Sequence, residues 1–215
     1  MKYKNILFDL DGTISDSSPG IINAYQYSLN KMGFPQDDPA VIKSYIGSPL
    51  RSYYTEQKKL DAPDSETAVK FFREYYTDKG IFENTLYENM DVLIGELNNN
   101  GNSLFIATSK PLEFALRILN HFNIKEYFTS IHGSDMSADN KPKEKLISDA
   151  IIMNGLVKAD SVMIGDRYHD IRGAKTNDID SIAVTYGFGS RVEIETEKPD
   201  HVEANSDEIR KIIFS

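Results

Sequence analysis

The sequence predicts an α/β fold in which a doubly wound parallel sheet carries an inserted domain of helices. Along most of the 215-residue chain, short apolar segments followed by polar turns alternate with segments of helical periodicity. Strands buried on both faces of a parallel sheet have that composition, and the helices that connect them produce that alternation. One long stretch, residues 16–82, contains helical patterns only, which indicates an insertion.

Five segments predict the strands of the sheet. Each is short, nearly continuous in apolar residues and bounded by a turn or a polar cluster. They are residues 5–10 (NILFDL), 103–108 (SLFIAT), 128–133 (FTSIHG), 161–166 (SVMIGD) and 181–187 (SIAVTYG). The tail from residue 193 onward predicts one more short edge strand and a closing helix.

Three segments predict helices between these strands. Residues 90–101 and 143–155 both end in Asn-Gly, a frequent stop, because glycine adopts the left-handed conformation that ends many helices. Residues 111–124 begin with proline, which fits a first helical turn, and continue with apolar residues at helical spacing. Each helix would cover one face of the sheet.

The insertion predicts a separate helical cap domain. Its three segments of helical periodicity are rich in tyrosine and phenylalanine and predict three or four amphipathic helices. We expect these aromatic side chains to form the core of the cap rather than a ligand cage. The predicted boundaries are 1–15 together with 83–215 for the α/β core, and 16–82 for the helical cap domain.

Composition excludes several classes of function. The net charge of −9 is unfavourable for a nucleic-acid polymer, because phosphate backbones are held by clustered Lys and Arg. The absence of cysteine excludes a disulfide framework, a thiolate metal site and a cysteine nucleophile. No apolar run approaches the ~20 residues of a membrane span, and no signal-peptide pattern begins the chain. We therefore expect a cytoplasmic protein without membrane contact, while its oligomeric state stays open.

Polar side chains collect where the predicted strands end. Ligands of parallel α/β sheets bind outside the carboxyl ends of the strands, so these side chains are candidates for one site. The candidates that follow the strands or precede the helix at 143–155 are Asp9, Asp11, Thr108, Ser109, Lys110, Lys141, Lys143, Asp166 and Asp170.

The carboxylates among these residues predict a metal site. Asp9 and Asp11 lie two residues apart, so both side chains point to the same side of an extended segment. Together with Asp166 and Asp170 they would make an empty pocket strongly anionic, and like charges destabilise one another. A hard divalent cation with oxygen ligands removes this repulsion, and Mg²⁺ is the expected ion.

The remaining groups fit a phosphate monoester. Thr108 and the main chain near Ser109 can donate hydrogen bonds to phosphoryl oxygens, and a lysine supplies a positive charge. Asp9 can attack phosphorus as a carboxylate nucleophile, which gives an aspartyl-phosphate. Asp11 can protonate the leaving oxygen and later deprotonate the hydrolytic water.

Four motifs resemble those of the haloacid dehalogenase-like (HAD) hydrolase superfamily. They are DLDGT at 9–13, IATS at 106–109, the lysine region NKPKEKL and GDRYHD at 165–170. The resemblance implies a Rossmann-like HAD core with a helical cap, Asp9 as nucleophile and Asp11 as general acid/base. It also implies metal ligation by Asp9, Asp166 and the main-chain carbonyl of Asp11, with Asp170 as a further ligand or as support for one.

Two points of the resemblance stay open. Lys141 stands in a Lys-Pro pair, as in many relatives, whereas Lys143 has the K-x-x-x-I pattern of the phosphoglycolate phosphatase and 5′-nucleotidase-like subgroup, and we favour Lys143. The segment YIGSPLR at 45–51 corresponds to a cap loop that faces the site in this family. Arg51 is therefore a candidate substrate contact.

The resulting hypothesis is an Mg²⁺-dependent phosphatase of a small phosphorylated metabolite, such as phosphoglycolate or a 5′-nucleotide. A phosphomutase of the β-phosphoglucomutase type would use the same aspartyl-phosphate and is the alternative. A non-enzymatic phosphoacceptor module is less favoured, because such modules carry adjacent acids at the first strand and lack a long helical insertion. A dehalogenase is also less favoured, since Asp11 would have no alkoxide to protonate.

Overall fold

A computed structural model describes residues 2–136 and 141–215. The helices are α1 (Ser18–Lys31), α2 (Pro39–Ser44), α3 (Leu50–Ser52), α4 (Ala62–Asp78), α5 (Met90–Asn99), α6 (Leu112–His121), α7 (Lys143–Asn154), α8 (Tyr168–Thr176), α9 (Arg191–Glu197) and α10 (Ser206–Phe214). The strands are β1 (Asn5–Phe8), β2 (Ser15–Asp16), β3 (Thr85–Leu86), β4 (Ser103–Pro111), β5 (Phe128–Ser134), β6 (Ser161–Gly165), β7 (Asp180–Val184) and β8 (His201–Glu203).

The main sheet has the strand order β5-β4-β1-β6-β7-β8, and the pairings that join its strands are parallel. Strand β1 lies in the middle, with Phe8 in register with Ile106 on one side and with Ile164 on the other. The predicted parallel α/β fold is confirmed. The strand order also brings the ends of β1, β4 and β6 side by side, where the candidate residues lie.

Burial explains why these segments form a central sheet. The side chains of Ile6, Leu7 and Phe8 are fully buried although consecutive residues of a strand point to opposite faces. Leu7 belongs to a buried cluster that includes Ile147 and Ala150 of α7, so this helix covers one face. Full burial of each such aliphatic or aromatic side chain stabilises the fold by about 1.5–3 kcal/mol.

The strands differ from their predicted lengths at their carboxyl ends. Strand β1 stops at Phe8 rather than at residue 10, because the Leu10 carbonyl accepts main-chain hydrogen bonds from the turn that follows. Strand β4 continues to Pro111, which pairs with Ser134 of β5, so α6 begins one residue later than predicted. The two-residue strands β2 and β3 pair with each other and were not predicted, since so short a strand carries no periodic pattern.

The chain divides into two compact units. One unit contains the main sheet and comprises the described residues up to Asp16 together with Leu86–Met136 and Lys141–Ser215. The other unit is helical and comprises Ser17–Thr85. In the described parts of the chain, no helix combines the length and the apolar character that crossing a membrane requires.

The helical unit has an aromatic core of its own, as the sequence predicts. Tyr25 of α1 contacts the rings of Tyr53, Tyr54 and Phe72, with ring centroids 4.4, 5.4 and 4.8 Å apart. These side chains are buried. Tyr53 and Tyr54 lie in a π-helical turn that continues α3, and this turn places both neighbouring rings in the core.

Candidate active site

The turn after β1 fixes the first candidate carboxylate. The Asp9 N–H donates to the Ile164 carbonyl of β6 at 2.9 Å, and the Asp9 carboxylate accepts from the Leu10 N–H at 2.7 Å. Gly12 has a φ of +84°, and a Cβ at this position would lie 2.3 Å from a carboxylate oxygen of Asp166. Only glycine fits there, so the DLDGT turn can lie directly against the end of β6.

Three buried carboxylates converge at these strand ends. Asp9, Asp166 and Asp170 each offer an oxygen, and the three oxygens lie within 4.8 Å of one another. The Asp166 carboxylate accepts the Phe188 N–H at 2.7 Å, and Asp170 in the first turn of α8 accepts the Arg167 N–H at 3.0 Å. Together with the Leu10 N–H on Asp9, main-chain donors therefore hold all three carboxylates in place.

Lys143 supplies the positive charge of this cluster. It is the first residue of α7, and its ammonium lies 2.9 Å from Asp9 Oδ2, 2.9 Å from Asp170 Oδ1 and 3.0 Å from the Ala107 carbonyl. The side chain is only 3% exposed. Burial opposes the charged form, but the carboxylates of Asp170 and Asp9 outweigh it and raise the pKa of Lys143.

The cluster keeps an uncompensated negative charge. Burial, reinforced by the charges of Asp170 and Asp9, raises the pKa of Asp166 to about 8. Burial also raises the pKa of Asp170 to about 6, although the Lys143 ammonium opposes this change. Three buried carboxylates with one ammonium fit a hard divalent cation, because a bound cation offsets both the cost of burying their charge and their mutual repulsion.

Asp11 pairs with a different lysine. The Lys110 ammonium, at the end of β4, lies 2.7 and 2.9 Å from the two Asp11 carboxylate oxygens. The side chains of Lys110 and Asp11 are 5% and 16% exposed. Asp9 and Asp11 are two residues apart, yet their carboxylates contact separate lysines from α7 and β4.

Comparison with known proteins decides the family. A sequence profile described as haloacid dehalogenase-like hydrolase matches residues 6–184, which is most of the chain. The chain belongs to the haloacid dehalogenase-like hydrolase family. This result confirms the resemblance drawn from the four motifs, and it agrees with the positions of Asp9 and Asp166 at adjacent strand ends.

Relatives of this HAD hydrolase carry several names. It is 36% identical to a 5′-nucleotidase from Pseudomonas aeruginosa, over all of this chain and 97% of that protein. It is 32% identical to the tyrosine-protein kinase PtkA of Mycobacterium tuberculosis, over 86% of this chain and 62% of that protein. It is 28% identical to a phosphoglycolate phosphatase from Aliivibrio fischeri, over 98% of this chain and 95% of that protein.

A solved structure matches the whole fold. The haloacid dehalogenase-like family hydrolase from Streptococcus pneumoniae superposes with a TM-score of 0.91 at 32% identity, and the match covers 100% of this chain and 99% of that one. The 5′-nucleotidase and the phosphoglycolate phosphatase both match over nearly their full length, and both names denote enzymes that release phosphate. This HAD hydrolase is an enzyme of the phosphatase type.

The other predicted site residues lie in three different settings. Thr108 is buried near the end of β4, and its hydroxyl oxygen accepts the Lys110 N–H at 3.3 Å, while the adjacent Ser109 is partly exposed. Lys141 is half exposed, and its ammonium lies 3.1 Å from Asp149. Arg51 forms an ion pair with Glu66 inside the helical unit. The structure thus brings Lys143, and not Lys141, against Asp9.

Sequence reasoning did not single out Lys110 as a partner of Asp11. A lysine after a strand is usually a solvated surface residue, and nothing in its neighbours marks it as buried. The contact follows from the strand register, which the structure supplies: β1 and β4 pair in parallel with Phe8 opposite Ile106. Counting forward from that pair brings the turn at Asp11 and the end of β4 to the same edge.

Proposed function

We propose that this HAD hydrolase is an Mg²⁺-dependent phosphomonoesterase that hydrolyses a small phosphorylated metabolite through an aspartyl-phosphate on Asp9. One observation carries the proposal: the buried carboxylates of Asp9, Asp166 and Asp170 converge within 4.8 Å beside the Lys143 ammonium. The names of the 5′-nucleotidase and phosphoglycolate phosphatase relatives support 5′-nucleotides and phosphoglycolate as first candidates for the substrate.

The residues present fit the metal that the family implies. Asp9, Asp166 and Asp170 provide oxygen donors, and the family pattern adds the main-chain carbonyl of Asp11. A bound Mg²⁺ would neutralise the carboxylates and the phosphoryl charge, so that an anionic nucleophile can approach an anionic substrate.

Asp9 performs the first step of the proposed reaction. One of its carboxylate oxygens attacks phosphorus, the bond between phosphorus and the ester oxygen breaks, and an aspartyl-phosphate forms. The contacts of Asp9 with the Leu10 N–H and the Lys143 ammonium hold the carboxylate in one orientation. Such fixed orientation is a large part of catalysis in phosphoryl transfer.

Asp11 moves the protons. In the first step it donates a proton to the leaving oxygen, so that an alcohol rather than an alkoxide departs. In the second step it takes a proton from a water molecule, whose oxygen attacks phosphorus while the bond to Asp9 breaks. Inorganic phosphate leaves, and Asp9 returns to the free carboxylate.

The phosphoryl group needs donors as well as a nucleophile. Lys143 can contact a phosphoryl oxygen from its position between Asp9 and Asp170. Thr108 and the main chain at Ser109 can add hydrogen bonds from the end of β4. In this proposal Lys141 remains a surface residue, and Arg51 of the helical unit is a candidate contact for the leaving group.

A panel of phosphorylated metabolites tests this proposal. The purified protein with Mg²⁺ should release inorganic phosphate from 5′-nucleotides, phosphoglycolate or both, and chelation of the metal should abolish release because the carboxylates would again repel the substrate. Absence of release from every ester in the panel, including 4-nitrophenyl phosphate, would contradict it. Conversion of a hexose phosphate into its isomer without phosphate release would favour a phosphomutase instead.

A further inference from the structure

We infer that Lys110 is the positioning residue for Asp11: its ammonium holds the carboxylate that transfers protons in the orientation which the reaction needs. The inference rests on the proposed function and adds to it a residue outside the four motif positions. Lys110 would act through Asp11 and would not itself contact the reacting atoms.

The contact geometry points to this role. The ammonium touches both carboxylate oxygens of Asp11, at 2.7 and 2.9 Å, which fixes the rotation of the carboxylate as well as its position. The lysine side chain is 5% exposed, so little water competes for either partner. An exposed ion pair would be screened by water and could not fix a side chain in this way.

Both partners extend from backbone that hydrogen bonds order. Lys110 lies in β4 between Ala107, which pairs with His132, and Pro111, which pairs with Ser134, and its own N–H donates to the Thr108 hydroxyl. Asp11 belongs to the turn in which the N–H groups of Thr13, Ile14 and Ser15 donate to the Leu10 carbonyl. Asp11 also forms a β-bridge with Ser15. Because hydrogen bonds order the Asp11 turn and β4 is paired again at Pro111, the ion pair determines where the Asp11 carboxylate points.

Proton transfer makes this orientation important. The leaving oxygen must receive its proton from a group within hydrogen-bond reach, and a displacement of about 1 Å can cost about 100-fold in rate. Without the ammonium, Asp11 can rotate about its side-chain bonds toward solvent. Lys110 keeps its own protons throughout, so the reaction balances as before, with the proton passing only between Asp11, the leaving oxygen and water.

The test compares two phosphate esters whose leaving groups differ in their need for a proton. Phenolate is a poor leaving group and 4-nitrophenolate a good one. With Mg²⁺ present, Lys110→Met should lower kcat/KM for phenyl phosphate by about 100-fold, and for 4-nitrophenyl phosphate much less. Inhibition by inorganic phosphate should keep its constant, since the phosphoryl donors are unchanged. Lys110→Arg should restore part of the loss.

A double-mutant cycle separates positioning from other roles. If Lys110 acts only through Asp11, Lys110→Met combined with Asp11→Asn should be no slower than Asp11→Asn alone. Lys145→Met is the matched control, because that lysine lies on the surface and pairs with Asp149, and it should leave both esters unaffected. Thermal unfolding of each variant reports whether it is folded, and Lys110→Gln replaces the methionine variant if that variant is not.

Several results would overturn the inference. An equal loss on both esters, a weaker inhibition by inorganic phosphate, or additive losses in the double mutant would show that Lys110 acts on the substrate or on the fold. A crystal structure of Lys110→Met with the Asp11 carboxylate in its original position would also overturn it. These outcomes differ from failure of the proposed function, in which the wild-type protein releases no phosphate from either ester and both conclusions fall.

Discussion

The two aspartates of the DLDGT turn, Asp9 and Asp11, each pair with a lysine, but the two pairs differ in their surroundings. The Lys143 ammonium contacts Asp9 and Asp170, and Asp166 lies beside them, so a cluster of three buried carboxylates contains one ammonium. Lys110 faces the single carboxylate of Asp11 and contacts both of its oxygens. The first group is anionic and the second is a closely matched pair of opposite charges.

The difference shows how one residue type can take two roles. Buried carboxylates that share a site fit a cation, and burial together with the charges of Asp170 and Asp9 raises the pKa of Asp166. The Asp11 carboxyl group is held through both of its oxygens by one ammonium and so keeps a fixed orientation, which a group that transfers protons needs. Environment rather than residue identity separates the proposed nucleophile from the proposed acid/base, as in other enzymes with two carboxylates.

The largest expected effect comes from removing the nucleophile. Asp9→Asn keeps the shape of the side chain but takes away the charge that attacks phosphorus and one proposed metal donor. Phosphate release in the presence of Mg²⁺ should fall by roughly 10⁴-fold or more, as for other nucleophiles that act as part of a unit. Rapid-quench trapping of the wild-type protein should detect a phosphorylated aspartate, and the variant should give none.

Asp178→Asn is a suitable control for this experiment. Asp178 is an exposed aspartate whose carboxylate pairs with Lys158, and asparagine tolerates its positive φ of 57°. This variant should release phosphate at the wild-type rate. Substantial turnover by Asp9→Asn would assign the nucleophile to another residue and would remove the distinction between the two pairs.

The sequence predicted the cluster around Asp9 and Lys143 better than the pair of Asp11 and Lys110. The strands that precede Asp9 and Asp166 are continuous apolar segments, and the rule that ligands bind at the carboxyl ends of parallel strands brings these aspartates together. Lys143 could be favoured over Lys141 only through the family resemblance. Composition and periodicity treat both as helix-start lysines, and their different burial, 3% against 48%, results from tertiary packing.

The contact of Lys110 with Asp11 depends on information that periodicity does not carry. It requires the lateral register of β1 and β4 and the point where β4 ends, and β4 extends to Pro111 rather than 108. The detailed packing of the core of the helical unit could not be predicted from the sequence either. The aromatic pattern predicted a core there, but the π-helical turn that buries both Tyr53 and Tyr54 has no sequence signal that we recognise.

A second prediction compares the two lysines that the sequence left open. Lys143→Met removes the ammonium that pairs with Asp9 and Asp170 and should destabilise the metal-free protein by about 3–5 kcal/mol, the usual cost of leaving buried charges unpaired. Lys141→Met removes an exposed partner of Asp149 and should cost about 0–1 kcal/mol. Urea unfolding of both variants without metal gives the comparison.

Activity provides a second measure for the same pair of variants. Lys143→Met should lose most phosphate release even with Mg²⁺ present, whereas Lys141→Met should keep it. Equal stability losses, or a loss of activity in Lys141→Met alone, would contradict the assignment of Lys143 to the site. Partial recovery of stability on addition of Mg²⁺ to Lys143→Met is expected, because the cation compensates the same carboxylates.

The smallest expected effect is a dependence of stability on pH that Mg²⁺ removes. The pKa of Asp166 is about 8 in the folded protein and 3.8 in its ordinary state, so the folded protein binds more protons than the unfolded chain between these values. Its stability must therefore fall as pH rises through that window. Asp170, with a pKa of about 6, contributes in the same direction at lower pH.

Unfolding of the metal-free protein between about pH 6.5 and 8.5 measures this effect, with Asp166→Asn as the reference that lacks the titrating group. The wild-type protein should lose stability relative to the variant as pH rises. Added Mg²⁺ should stabilise the wild-type protein more at the upper pH, because the ion binds the deprotonated carboxylate, and should affect the variant little. If the free energies of unfolding of the two proteins changed with pH in parallel, the pKa of Asp166 would not be raised in the folded protein. The electrostatic difference between the carboxylate cluster and the Asp11–Lys110 pair would then disappear.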